Sequence, residues 1–324
     1  MGTPTKIPVY ILGGFLGSGK TTVLLKMLEH CKEKGQKPGI ILNELGSENV
    51  EGHLFEGRKV FELLDGCICC TIQDDLKETM NMLIEEMNRS SLDVLFIEGT
   101  GVANPLEIQE VLLGDSYIDQ FEIMSIITVL DASNYLEYQS FFTSSAEVRN
   151  LMKEQIICGS LLLLNKTDLI HFKQLEKVIN KIEEIAGKDK EIIPCTNGIV
   201  DPKILFDKRF QSFSINPLQT DINSHHHDHH STVFAFKLEG IPSLPKKTFE
   251  KWFKELPSNV LRGKGYIQIE NSSDLLSFQL ASKKVKFIPV PFTNNKKTVI
   301  ILIGTDLHNE DLNNHFKLLL EGVL

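Results

Sequence analysis

The chain has 324 residues, 42% hydrophobic and 24% charged, the composition of an ordinary folded protein with room for two domains. A net charge of −9 and a pI near 5.6 remove any general electrostatic reason to hold nucleic acid or an anionic membrane. Apolar runs such as 125–130 and 161–164 are too short to cross a bilayer, and Met1 to Lys6 lacks a signal-type apolar stretch, so the expectation is a cytoplasmic protein with no nucleic-acid or membrane partner.

In chain order, short β-branched runs alternate with helical patterns from residue 7 to about 195. Strands are expected at 8–12, 39–43, 60–64, 93–98, 125–131, 160–165 and 191–195, and helices at 20–34, 74–88, 105–113, 145–154 and 172–186. Strands that are apolar almost throughout, such as 94–97, imply burial on both faces and hence a mostly parallel sheet covered by helices. The first domain, 1–210, is therefore read as a three-layer α/β/α domain. Over 211–231 the pattern dissolves into polar residues, read as a His-rich linker. Beyond it, 232–324 reads as a smaller α+β domain, with strands at 233–238, 265–270, 275–280, 285–291 and 298–304 and helices at 246–255 and 310–320.

Gly14-Phe15-Leu16-Gly17-Ser18-Gly19-Lys20-Thr21, followed by Thr22, stands between an expected strand and an expected helix. Glycines let backbone N–H groups turn inward around phosphate oxygens, and the helix N-terminus favours the negative charge. Lys20 is placed to reach the β- and γ-phosphates and the Thr21 hydroxyl to bind Mg²⁺. A second Mg²⁺ element should be an acid at a strand end. Glu98, in Glu98-Gly99-Thr100-Gly101, fits that role, with Gly101 able to approach the γ-phosphate; Asp131 is a lesser candidate. The run Asn165-Lys166-Thr167-Asp168 follows another apolar strand. A carboxylate at Asp168 can accept two hydrogen bonds from guanine N1–H and N2 but repels the adenine pattern, with Asn165 bracing the loop and the Lys166 stem covering the base. The expected ligands are GTP and GDP. Cys195 to Gly198, after the next strand, can supply backbone contacts to the base.

Three of six cysteines crowd into Cys67-Ile68-Cys69-Cys70, just after Gly66, while Cys31, Cys158 and Cys195 are scattered. Thiolates suit tetrahedral Zn²⁺ and related ions, with Co²⁺ and Ni²⁺ also compatible. Adjacent Cys69 and Cys70 point opposite ways if extended, so all three reach one ion only in a turn. A fourth ligand must come from elsewhere; Glu44, His53 and a solvent molecule are the candidates. Buried structural cysteines and a redox pair are the competing readings. His225, His226, His227, His229 and His230, interrupted by Asp228, suit either a solvated linker or a metal-gathering arm.

Together these motifs resemble the CobW (cobalamin-synthesis-W) family of P-loop GTPases, which includes zinc-regulated metallochaperones and is related to the urease and hydrogenase nickel-insertion GTPases. The resemblance rests on residues 13–22, Asn43-Glu44-Leu45-Gly46, 66–70, 98–101 and 165–168, in the family's order. The smaller C-terminal domain, with Leu261-Arg262-Gly263-Lys264-Gly265 after a Trp252-bearing helix, is similar too. The resemblance implies GTP hydrolysis coupled to transition-metal binding, with delivery to a client metalloprotein. It also implies that Glu44 lies in the first switch beside the cysteines and that Glu98 acts at Mg²⁺. A homodimer is compatible with this reading. The rival is a thiol-redox or metal-sensing regulatory protein in which the nucleotide is a switch.

Overall fold

The computed structural model describes the chain except residues 1–5, 43–58, 63–71, 88–90, 102, 115, 216–232, 273–274, 282–283, 291–297, 306–308 and 321–324; for a few residues inside elements it describes the backbone alone. The chain divides into two compact units, Met1–Arg209 and Phe210–Leu324.

The first unit is built on a seven-stranded sheet in the order β3-β2-β4-β1-β5-β6-β7, in which every neighbouring pair is parallel. Its strands are β1 (Ile7–Gly13), β2 (Pro38–Leu42), β3 (Lys59–Glu62), β4 (Val94–Glu98), β5 (Phe121–Asp131), β6 (Leu161–Asn165) and β7 (Ile192–Pro194). The central strands are buried on both faces, since Val9, Ile11, Leu95, Ile97, Leu161 and Leu162 all have almost no accessible surface. That is why their sequences are continuously apolar rather than alternating. The covering helices are α1 (Lys20–Glu33), α2 (Ile72–Met87), α3 (Pro105–Leu112), the one-turn α4 (Tyr135–Tyr138), α5 (Ala146–Cys158), α6 (Phe172–Ala186) and the one-turn α7 (Pro202–Leu205). The three-layer α/β expectation therefore holds.

Helix caps explain several boundaries. Asn104 caps α3, accepting from Leu106 N at 3.0 Å, with Pro105 at the first helical position. Ser145 caps α5 through Val148 N. That helix, expected to end at residue 154, runs on to Cys158 and so gains a turn carrying Gln155. Among the described residues no helix is long and apolar enough to cross a membrane.

The second unit has a six-stranded sheet in the order β12-β11-β10-β13-β9-β8. Its strands are β8 (Phe210–Ile215), β9 (Val233–Glu239), β10 (Val260–Gln268), β11 (Leu275–Ala281), β12 (Lys284–Val290) and β13 (Val299–Thr305), with helices α8 (Lys246–Glu255) and α9 (Asn309–Leu320). Pairing is antiparallel except for β8 and β9, which run parallel. The core gathers Phe249, Trp252 and Phe253 of α8, Phe316 of α9, and Phe236, Phe278, Ile300 and Leu302 of the sheet. Trp252 Nε1 donates to His315 O at 3.0 Å, which satisfies the one polar atom of a fully buried indole. Gly265 is required in β10. Its φ is +154°, and a Cβ there would fall 1.9 Å from Val299 O.

The domain boundary differs from the sequence reading. Residues 210–215, expected to end the first domain and open a linker, form strand β8 of the second sheet. The polar stretch thus joins two strands of one sheet instead of joining two domains.

Candidate functional site

Three strand ends of the parallel sheet build the site. β1 ends at Gly13 and leads into the P-loop, β4 ends at Glu98 and β6 ends at Asn165. Leu12 is in register with Glu98, and Asp131 with Asn165, so the functional residues emerge together at the carboxyl edge, where open α/β sheets bind ligands.

The P-loop turns on three glycines with positive φ: Gly14 (134°), Gly17 (71°) and Gly19 (103°). Side chains are excluded at two of them by close approach. A Cβ on Gly14 would lie 2.2 Å from Val129 O, and one on Gly19 would lie 2.4 Å from Asn165 Nδ2. Gly19 is the N-cap of α1 and supplies no side-chain cap, which leaves the helix N-terminus available to an anion. Lys20 is buried and donates to Phe15 O within the loop at 3.4 Å. Among the described residues the buried hydroxyls of Ser18 and Thr100 have no hydrogen-bond partner, a capacity that phosphate oxygens would satisfy. Thr22 is exposed on the first turn of α1.

Thr21 Oγ1 donates to Glu98 Oε1 at 2.8 Å. A hydroxyl and a buried carboxylate converging beside a helix N-terminus are hard oxygen donors of the kind Mg²⁺ takes alongside phosphate oxygens, so these residues fit a Mg²⁺–triphosphate site. Asp131 is occupied otherwise. It accepts from Lys166 Nζ at 2.7 Å and from Ser133 and Asn134. Burial alone would raise its pKa, but these hydrogen bonds outweigh burial and hold the carboxyl below its ordinary range. Through Lys166 it fixes the loop 165–168.

That loop is held from both sides. Asn165 Nδ2 donates to Ser18 O at 2.9 Å, and its Oδ1 accepts from Gly198 N at 3.1 Å. Asn165 therefore ties the P-loop to the segment after β7. Thr167 Oγ1 donates to Cys195 O at 3.0 Å. Lys166 has φ 61°, a strained setting for a residue with a Cβ, and its ammonium is steadied by Asp131. Asp168 lies exposed on a short 3-10 turn, Thr167–Leu169. Burial pushes the Cys195 thiol up to about 11, partly opposed by a hydrogen bond from the Gly198 backbone, so it stays neutral.

Gly101 packs against the P-loop so closely that a Cβ would fall 2.6 Å from Leu16 N. The turn it occupies is gripped from behind by Gln155 and Glu154 of α5, neither of which the sequence reading singled out. The available signal was a glutamine within the apolar stripe of Met152 and Ile156.

The proposed metal ligands Cys67, Cys69, Cys70 and Glu44, together with His53 and the histidines 225–227 and 229–230, lie outside the described residues. Among the described residues no group of three or more His, Cys, Asp or Glu side chains could hold a metal ion. The scattered cysteines Cys31, Cys158 and Cys195 are buried and form no disulfide among the described residues, in keeping with the core reading.

With this geometry in place, comparison with known proteins is decisive for kinship. Residues 8–193 match the model of the CobW/HypB/UreG nucleotide-binding domain, and 234–320 match the cobalamin synthesis protein CobW C-terminal domain. The chain belongs to the CobW family. It is 29% identical over 229 residues to a protein of Sinorhizobium named zinc chaperone CobW, covering 62% of this chain and 62% of that one. It is 27% identical over 283 residues to the zinc chaperone YjiA of Escherichia coli, covering 84% and 85%. A zinc-regulated GTPase metalloprotein activator of Schizosaccharomyces pombe is 33% identical over 211 residues, covering 60% of this chain and 47% of its own length. The chain thus spans less than two thirds of the first of these curated relatives. A crystal structure of a Zn(II)-bound triple mutant of the YjiA GTPase superposes with a TM-score of 0.50 at 21% identity, covering 97% of this chain and 99% of that one, which shows the shared fold.

Proposed function

We propose that this CobW-family protein is a GTP-hydrolysing metallochaperone, which takes a transition metal, zinc foremost, at Cys67, Cys69 and Cys70 and passes it to a client metalloprotein. The observation that carries the nucleotide half is the meeting of Thr21, Glu98, Ser18 and Asn165 around one P-loop. The metal half rests on the Gly66-Cys67-Ile68-Cys69-Cys70 motif and on relatives named as zinc chaperones. Glu44 is assigned to the same metal.

Each residue has a physical task in this reading. Backbone N–H groups of 14–21 hold the phosphates, and Lys20 leaves Phe15 O to neutralise the β- and γ-oxygens. Thr21 and Glu98 would hold Mg²⁺, which on binding neutralises charge on the phosphates. Asp168 accepts from guanine, on a loop that Asn165, Lys166 and Asp131 keep in place. Catalysis is then positioning and charge stabilisation by pre-placed groups.

The test is steady-state GTP hydrolysis by the full chain with and without Zn²⁺, beside competitive zinc titration in GDP and GTP-analogue states. Hydrolysis lost in Lys20→Ala, and zinc binding lost in the triple Cys→Ser variant, are the expected results. Hydrolysis indifferent to zinc, with one zinc affinity in both nucleotide states, would overturn the proposal. A disulfide forming among the three thiols in place of metal binding would favour the redox reading.

A further inference from the structure

We propose that Gln155 is a positioning residue for the terminal phosphate of the nucleotide, acting through the Gly101 turn; the proposal rests on the reading of the P-loop as a GTP site. Gln155 has no accessible surface. Its Nε2 donates to Gly101 O at 3.3 Å and to Ala103 O at 3.1 Å. Its own backbone carbonyl accepts from Thr128 Oγ1 of β5 at 2.9 Å. The next residue back, Glu154, accepts from Asn104 Nδ2 at 2.6 Å, and Asn104 caps α3. Helix α5 therefore grips the segment after Glu98 at Gly101, Ala103 and Asn104.

On its other side the same turn meets the P-loop, at the Gly101–Leu16 approach already described. Gly101 is thus placed by Gln155 from behind and by Leu16 in front. Core packing alone does not call for a glutamine here. Its Oε1 is buried with no hydrogen-bond partner among the described residues, whereas leucine, of similar size, would fill the stripe without an orphaned acceptor. What the glutamine adds is two donors aimed at one turn. In nucleotide switches the segment beyond the strand-end acid senses the third phosphate, so a group that fixes it bears on the triphosphate state and not on the diphosphate.

The experiment uses the full chain with Gln155→Leu, measuring GDP and non-hydrolysable GTP-analogue affinities by calorimetry and GTP turnover by single-turnover assay. GDP affinity should stay within about twofold, while GTP-analogue affinity and turnover fall about tenfold, the scale of one or two net hydrogen bonds. Gly101→Ala, which drives a methyl into the P-loop backbone at Leu16, should lower GDP affinity as well as GTP-analogue affinity, so the split belongs to Gln155→Leu alone. Gln155→Leu added to Gly101→Ala should change little more, because both act at one place. Equal losses for GDP and the analogue in Gln155→Leu, no loss for either in that variant, or full additivity with Gly101→Ala would each overturn the inference. A wild-type chain that binds neither nucleotide would instead overturn the reading of the P-loop as a GTP site.

Discussion

Replacing Asn165 by alanine should weaken the fold and the nucleotide site together, and the structure sets how the loss divides. Asn165 is 2% exposed, donates to Ser18 O and accepts from Gly198 N and, weakly, from Cys195 Sγ at 3.7 Å. Alanine removes both ordinary hydrogen bonds and leaves two buried backbone groups short of a partner. At ~0.5–1.5 kcal/mol per bond, with an added penalty for orphaned groups, the expected loss is about 2–3 kcal/mol. Urea unfolding of the nucleotide-free protein should read that loss directly. Fluorescent GDP titration should show a fall of about tenfold, on the scale of 1.4 kcal/mol per decade. Because Asn165 reaches the nucleotide through the P-loop backbone, GDP and GTP-analogue affinities should fall in step. An unchanged urea midpoint with unchanged GDP affinity would refute the brace. A loss confined to the GTP analogue would refute the division of labour between Asn165 and Gly101.

Three further outcomes follow from particular groups. Burial pushes the Cys31 and Cys195 thiols from 9.0 up to about 11, with Asp93 adding to the effect at Cys31 and the Gly198 backbone partly opposing it at Cys195. Between those values the unfolded chain releases protons the folded chain keeps, so stability should fall from pH 9 to 11, by at most ~1.4 kcal/mol per pH unit per thiol. Cys31→Ala should flatten that limb in urea melts, and an unchanged slope would show that the thiol is not held neutral. Asp131 sits below its ordinary 3.8 because its hydrogen bonds outweigh burial, so its contribution is present above that value and disappears as pH falls through the folded pKa. Asp131→Asn should therefore weaken acid dependence below about pH 4 and raise KM for GTP by freeing Lys166; an acid limb identical to wild type argues against it. Gly265→Ala, with its Cβ 1.9 Å from Val299 O, should unfold or strongly destabilise the second unit while GDP binding by the first survives. Loss of both in one transition would show that the units fold as one.

The nucleotide site was legible because each of its parts is a short segment at a strand end, where fixed spacing and an apolar run occur together. Gly14 to Thr21, Glu98 and Asn165 needed only that pairing. Bonds between segments were not legible. Nothing local in Asn165 says that Ser18 O and Gly198 N are its partners, and Gln155 fell just beyond the expected end of its helix. Strand β8 was missed for a related reason. Phe210–Ile215 is an edge strand whose partner begins only at Val233, so no neighbouring pattern announced it. The one-turn helices α4 and α7 are too short to show a period. The cysteine and histidine motifs remain sequence observations, since they lie outside the described residues.

The parallel pairing of β8 with β9 changes what the histidine tract can be. A chain leaving the far end of β8 must return along the strand before β9 can start beside it, about 20 Å for six residues. The 17 residues 216–232 can reach up to about 56–61 Å, so much of their length is surplus to that return. Even without residues 225–230, the remaining 11 would reach about 36–40 Å, still enough to close the sheet. The five histidines are thus tethered at both ends to one small sheet without being needed to complete it. Cutting out or rewriting residues 225–230 should therefore leave chain enough for β8 and β9 to stay paired.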